Sequence, residues 1–160
     1  MSFDLSVSYD RLPSDLARIW VEGFARHGFE VEIMPGFDPN TWEGGFLPFH
    51  VLAAPEALVG FVLPDPAVSG FEVWLEPQDA DFRSGSGRPT TEFAMQCLGA
   101  ALLAEATGGT YDDPQAGQTY RGGDAIDAAL RETARFLRTA RSHERVHHPF
   151  PGWAELGVTV

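Results

Sequence analysis

The sequence contains no lysine, because all eleven of its basic residues are arginine. This absence excludes Schiff-base chemistry, a lysine-linked pyridoxal-phosphate enzyme and a Walker A nucleotide site, since each of these needs a lysine amine. Cysteine is nearly absent as well. Cys97 stands alone, so the chain has no internal disulfide, and we expect the protein in the cytoplasm.

Long apolar runs and positive charge are also scarce. No run approaches the length of a transmembrane helix, and residues 1–14 lack the basic and apolar regions of a signal peptide. The net charge is -12 and the pI is about 4.6. Such a charge repels phosphate backbones and anionic lipid, which argues against nucleic-acid and membrane partners and favours a basic partner. The abundance of Arg, Ala, Gly and Pro, which have GC-rich codons, indicates a bacterial gene.

The chain length of 160 residues fits one globular domain over 1–160, with a C-terminal tail from about 149 that wraps back or adds an edge strand. Alternating apolar residues and turn residues predict strands over 2–9, 29–35, 46–53, 57–64 and 70–77. Residues 79–89 read as a loop, and 110–120 as a small hairpin.

Three segments have helical periodicity, and they cover 13–28, 90–109 and 124–147. The second is apolar nearly all round and contains Cys97, so we expect it to be the most buried helix, capped by a threonine at its start. The first strand, the first helix and the second strand form a β-α-β unit. The whole pattern predicts an α+β fold with a mixed, mostly antiparallel sheet and about three helices.

The most specific motif is His143-Glu144-Arg145-Val146-His147, the H-E-x-x-H spacing of zinc metalloproteases. On a helix this spacing places both imidazoles on one face as zinc ligands, with Glu144 as the base. Pro149 follows closely, however, and places the motif in the last turn of the helix. No third ligand is evident, so we expect no metal and no other cofactor, and a zinc hydrolase is the alternative.

Five of the eleven arginines form a basic stripe along the predicted last helix, at positions 131, 135, 138, 141 and 145. Such a stripe is usually a solvated face. The functional interpretation is a docking surface for an acidic partner or a second copy of the chain, with Arg131, Arg135 and Arg138 as binding residues.

Two further segments contain candidate binding residues. The Gly-rich segment 83–91 precedes a helix and suggests a weak anion site formed by Arg83, Arg88 and Thr90. The loop 37–46 presents three aromatic residues that either contact a partner or fold back onto the core, namely Phe37, Trp42 and Phe46.

These features favour a non-enzymatic protein that acts by binding another protein or by self-association. In size and charge the chain resembles small acidic immunity proteins that neutralise basic toxins, and it also fits a regulatory protein. The zinc hydrolase at 143–147 and a binder of small anions at 83–91 are the two alternatives.

Overall fold

The computed structural model describes residues 2–160. Its strands β1 to β7 cover Phe3–Ser8, Glu30–Ile33, Gly45–Ala53, Ala67–Leu75, Asp79–Ser84, Thr110–Asp113 and Gln118–Arg121. Its helices α1 to α4 cover Leu16–Arg26, Glu56–Val59, Thr90–Thr107 and Asp124–Thr139. Short 3-10 helices follow at Ser142–Glu144 and Ala154–Leu156.

All seven strands form one sheet in the order β2-β3-β4-β5-β1-β6-β7, and every neighbouring pair is antiparallel. The predicted α+β class and antiparallel sheet are therefore confirmed, with four helices where about three were expected. The opening β-α-β unit exists in chain order. Its two strands run parallel to each other, but β3, β4 and β5 separate them in the sheet.

The helices pack on one face of the sheet. The apolar alternation in β1 buries Phe3, Leu5 and Val7 on that face. From α1, the fully buried Trp20 contacts the aromatic side chains of three strands, and its indole N–H donates to the Gly99 carbonyl at 2.9 Å. The opposite face of the sheet carries polar residues at the alternate positions of β1 and β5, whereas β3 and β4 also place Phe46, Val68 and Trp74 there.

Helix α3 is the most buried helix, as its composition predicts, since fourteen of its eighteen residues are buried. It lies between the sheet and α4, and it also contacts α1. Its start differs from the prediction: Pro89 is the capping residue, and the hydroxyl of Thr90 donates to the Val59 carbonyl. Gly108, with a φ of 65°, ends the helix in the left-handed conformation that glycine adopts readily.

Two predictions between residues 57 and 89 are wrong. The predicted strand 57–64 is the short helix α2 followed by a turn, because Gly60, with a φ of 85°, ends the helix in the left-handed conformation. The predicted loop 79–89 begins with strand β5. That strand alternates correctly, but Phe82 is its only large apolar residue, so its hydrophobic pattern is weak.

The predicted last helix is too long, because α4 ends at Thr139 and Ala140 is extended. After it, the backbone N–H of Arg141 donates to the Glu144 carboxylate, which closes a separate short turn. The tail wraps back beside the start of β4, where Val68 N–H donates to the His148 carbonyl at 2.8 Å. It forms one isolated bridge there and adds no edge strand.

Within residues 2–160, no helix combines the length and the apolar character that a membrane crossing requires.

Candidate functional site

Three of the predicted binding residues line one pocket. Arg131, Arg135 and Arg138 lie along α4 and, together with the β6–β7 hairpin, enclose a volume of about 500 Å³. The guanidinium of Arg131 lies 5.6 Å from the centre of the Tyr120 ring on the hairpin. Arg135 lies 3.7 Å from Glu132. We call this space, between α4 and the hairpin, the arginine pocket.

The inner wall of the arginine pocket contains buried polar groups. Tyr111 is 1% exposed, and its hydroxyl has no hydrogen-bond partner. Asp113 is buried and accepts from the Ala116 N–H at 3.2 Å. Burial raises the pKa of the Glu132 carboxyl, Arg135 lowers it, and Asp113 raises it further. The pocket is therefore lined by three exposed arginines of α4 and by two acids, the partly buried Glu132 of the same helix and the buried Asp113 of β6.

The other two arginines of the predicted stripe do not belong to this pocket, because α4 ends before them. Arg141 begins the following turn, and Arg145 lies over Gly60 at the end of α2. The stripe that a continuous helix predicts is thus divided at Thr139.

The H-E-x-x-H motif does not lie on an α-helix, because His143 and Glu144 belong to a short 3-10 helix and His147 follows it, so the α-helical geometry expected for zinc is absent. His147 contacts the Asp65 carboxylate, whereas His143 is exposed and lies 3.8 Å from Glu144. Within residues 2–160 no three His, Cys, Asp or Glu side chains are grouped as metal ligands.

The segment 83–91 does not assemble the predicted anion site. Arg83 pairs with Asp4 at 3.0 Å, and the hydroxyl of Thr90 is buried against Val59. Arg88 donates to the Ser84 hydroxyl at 2.8 Å, and its guanidinium lies within 6 Å of three phenylalanine rings, those of residues 3, 93 and 136. Each of the three candidate residues therefore has its own protein partner.

The predicted aromatic residues of the loop 37–46 divide into two groups. Phe37 packs against Trp20 with ring centres 5.8 Å apart, and the Trp42 indole N–H donates to the Val73 carbonyl at 2.9 Å. Phe46 remains 43% exposed and lies on the face of the sheet that the helices leave uncovered. Of the three aromatic residues, Phe46 is thus the one whose side chain is largely accessible to a partner.

The structure also reveals a surface that the sequence reasoning missed. On the uncovered side of the sheet, the side chains of β1 and its neighbours are mostly acidic or small, with Arg83 opposite Asp4 as a cation among them. We call this surface the acidic face and define it by Asp4, Ser6, Ser8, Asp79, Asp81 and Asp112. The polar alternation of β1 was visible in the sequence, but the segment with Asp79 and Asp81 read as a loop.

The register of β5, β1 and β6 arranges the side chains of the acidic face in rows across the strands. Ser6 pairs with Asp81 on β5 and with Asp112 on β6, so a hydroxyl lies between two carboxylates. In the adjacent row, Ser8 pairs with Asp79 and with Thr110. Neighbours of this kind have Cβ atoms roughly 5 Å apart, which places the carboxylates of one row about 10 Å from each other.

Comparisons with known proteins assign no family, since no family model, no curated protein and no solved structure matches this chain.

Proposed function

We propose that this protein acts by binding another protein, and that the acidic face receives a basic surface of that partner. The observation that carries the proposal is the row of Asp81, Ser6 and Asp112 across three adjacent strands, on a side of the sheet that no helix covers. A regular sheet holds these groups rigidly, so a partner meets them already positioned.

The shape of the acidic face suits long basic side chains. Serine leaves space between the flanking carboxylates, and a shallow cavity of about 280 Å³ lies beside Asp4, Ser6 and Asp81, with Arg83 also in its lining. An arginine or lysine from a partner contacts a carboxylate while its aliphatic portion covers the serine row. Hydrogen bonds between charged groups of this kind are about twice as strong as those between neutral groups.

The carboxylates of the acidic face are largely unneutralised. Among residues 2–160, no arginine or histidine nitrogen lies within 4.0 Å of the carboxylates of Asp79, Asp81 or Asp112. Asp4 is the exception, because it pairs with Arg83. The net charge of -12 adds a long-range attraction that accelerates encounter with a basic partner.

Aromatic residues border the acidic face on β3 and β4. Trp74 pairs in register with Asp81, and its ring lies 5.4 Å from the Arg83 guanidinium. Phe46 pairs in register with Glu72 on the next row. Partly exposed aromatics beside charged groups are typical of the residues that dominate binding energy in protein interfaces.

The test compares two triple variants that lose the same charge. The first changes Asp79, Asp81 and Asp112 to Asn, and the control changes Glu22, Glu56 and Asp127, which are exposed on helices, to the corresponding amides. Partners are captured from the source cells, identified and purified, and their Kd is measured by calorimetry at low and moderate salt. We expect a basic partner whose Kd weakens about tenfold or more in the first variant only, and also weakens with salt.

Two results contradict this proposal. A partner that binds the acidic-face variant as tightly as the control variant does not use this surface. A partner whose affinity is independent of salt concentration is not recognised by charge.

A further inference from the structure

We infer that the arginine pocket binds a small organic polyanion, either a polycarboxylate or a phosphorylated metabolite. This site lies between α4 and the helix-covered side of the hairpin, whereas the acidic face lies on the opposite side of the sheet. It does not depend on the proposed protein partner. It replaces the segment 83–91 as the place where an anion binds.

The arginine positions suit a ligand with more than one anionic group. Arg131, Arg135 and Arg138 are spaced at i, i+4 and i+7, so they follow one side of α4 over two turns. At 1.5 Å per residue the first and last lie about 10 Å apart along the axis. The pocket volume of about 500 Å³ lies within the range of small-molecule sites.

The hairpin side of the pocket holds the Arg131 guanidinium in place before a ligand binds. Arg131 rests on the Tyr120 ring, and the Tyr120 hydroxyl donates to the Gln118 side chain at 3.1 Å. A guanidinium that already rests on a ring loses less conformational entropy when it binds an anion. Arg138 forms no ion pair within residues 2–160 and keeps its donors available.

The inner wall is formed by the Tyr111 side chain and two acidic side chains. Tyr111 lines the pocket, but its hydroxyl is buried and is not available to a ligand. Glu132 is engaged by Arg135, and Asp113 lies further inside. Three exposed cations against these two acids give the pocket a positive rim on a protein whose net charge is strongly negative. The pocket is therefore a local site for anions, and the rest of the surface repels them.

The experiment uses citrate and fructose 1,6-bisphosphate as probes, in isothermal titration calorimetry at constant ionic strength. The pocket variant changes Arg131, Arg135 and Arg138 to Gln. The matched control changes three exposed arginines elsewhere to Gln, at positions 11, 18 and 26. We expect saturable one-to-one binding of at least one probe, weakened about tenfold or more in the pocket variant and less than about twofold in the control.

The two probes distinguish the chemical source of the anion. Binding of citrate alone assigns a polycarboxylate, and binding of the bisphosphate alone assigns a phosphorylated ligand. A Glu132→Gln variant tests the geometry independently, because it removes the negative charge beside Arg135 and is expected to tighten binding. The absence of saturable binding by both probes, or equal loss in the pocket and control variants, overturns the inference. The melting temperature of each variant establishes that it is folded.

Discussion

Helices α3 and α4 pack side by side, yet they have opposite roles. α3 is buried nearly all round and contacts the sheet, whereas α4 buries only five residues and contacts mainly α3. Phe136 of α4 stacks on Phe93 of α3 with ring centres 4.2 Å apart. The comparison shows that the apolar helix secures the fold and that the amphipathic helix, held to it by one face, is free to present charge to solvent.

The largest expected loss of stability follows from a substitution in α3. Leu98→Asp places an unpaired charge at a position that is 2% exposed, and it is expected to abolish folding, with a loss of more than about 4 kcal/mol. The same charge at the exposed Ala134 of α4 is expected to lower the free energy of unfolding by less than about 1 kcal/mol, mainly because Asp has a lower helix propensity than Ala. Urea denaturation of both variants checks this pair. Equal losses would show that the two helices do not differ as described.

Removing the contact between the two helices is expected to cause a smaller loss of stability. Phe136→Ala removes the ring that stacks on Phe93 and lies near Arg88, and the half-buried position suggests a loss of about 2 kcal/mol. Thermal melting and urea denaturation measure the loss. An unchanged stability would mean that α4 is held to α3 by other contacts.

A pH-dependent effect is expected at the start of α3. Burial raises the pKa of Glu92 to about 7, and Glu72 contributes in the same direction. Because this folded value lies above the ordinary value of 4.5, the folded state retains the proton, and stability falls as pH rises from about 4.5 through about 7. Glu92→Gln is expected to remove this fall and to be more stable than the wild type at pH 8 by about 1 kcal/mol, after allowance for partial solvent exposure. Identical pH profiles of stability for the two proteins would contradict the prediction.

The smallest expected effect concerns the segment beyond α4. Because His147 contacts Asp65 and His143 is exposed, we expect no stoichiometric zinc and no change of melting temperature with EDTA. Elemental analysis after dialysis measures the metal, with His143→Ala as the control. About one zinc per chain, lost in the variant, would restore the hydrolase interpretation.

Periodicity predicted the elements whose apolar residues are numerous, such as β1, α1 and α3. It failed at β5, where Asp79, Asp81 and Arg83 alternate with only one large apolar residue, because pairing with β1 and β4 stabilises that strand. It also overextended α4, because the local bond between Arg141 and Glu144 competes with helix continuation.

The candidate sites were predicted less completely than the fold. Local spacing brought Arg131, Arg135 and Arg138 to one side of a helix, and this part was visible in the sequence. The opposing hairpin and the alignment of Asp81 with Ser6 and Asp112 depend on contacts between residues distant in the chain. Such contacts leave no signal in a single sequence.

The central position of β1 has a consequence for how the chain folds. Its partners are β5 and β6, so residues 3–8 are synthesised about seventy residues before the first partner strand. Until then Phe3, Leu5 and Val7 belong to an unpaired apolar strand, which is prone to associate with other chains. Pairing over such sequence distances is slow. Production of this protein is therefore expected to be sensitive to synthesis rate and to chaperone supply, even where the finished fold is stable.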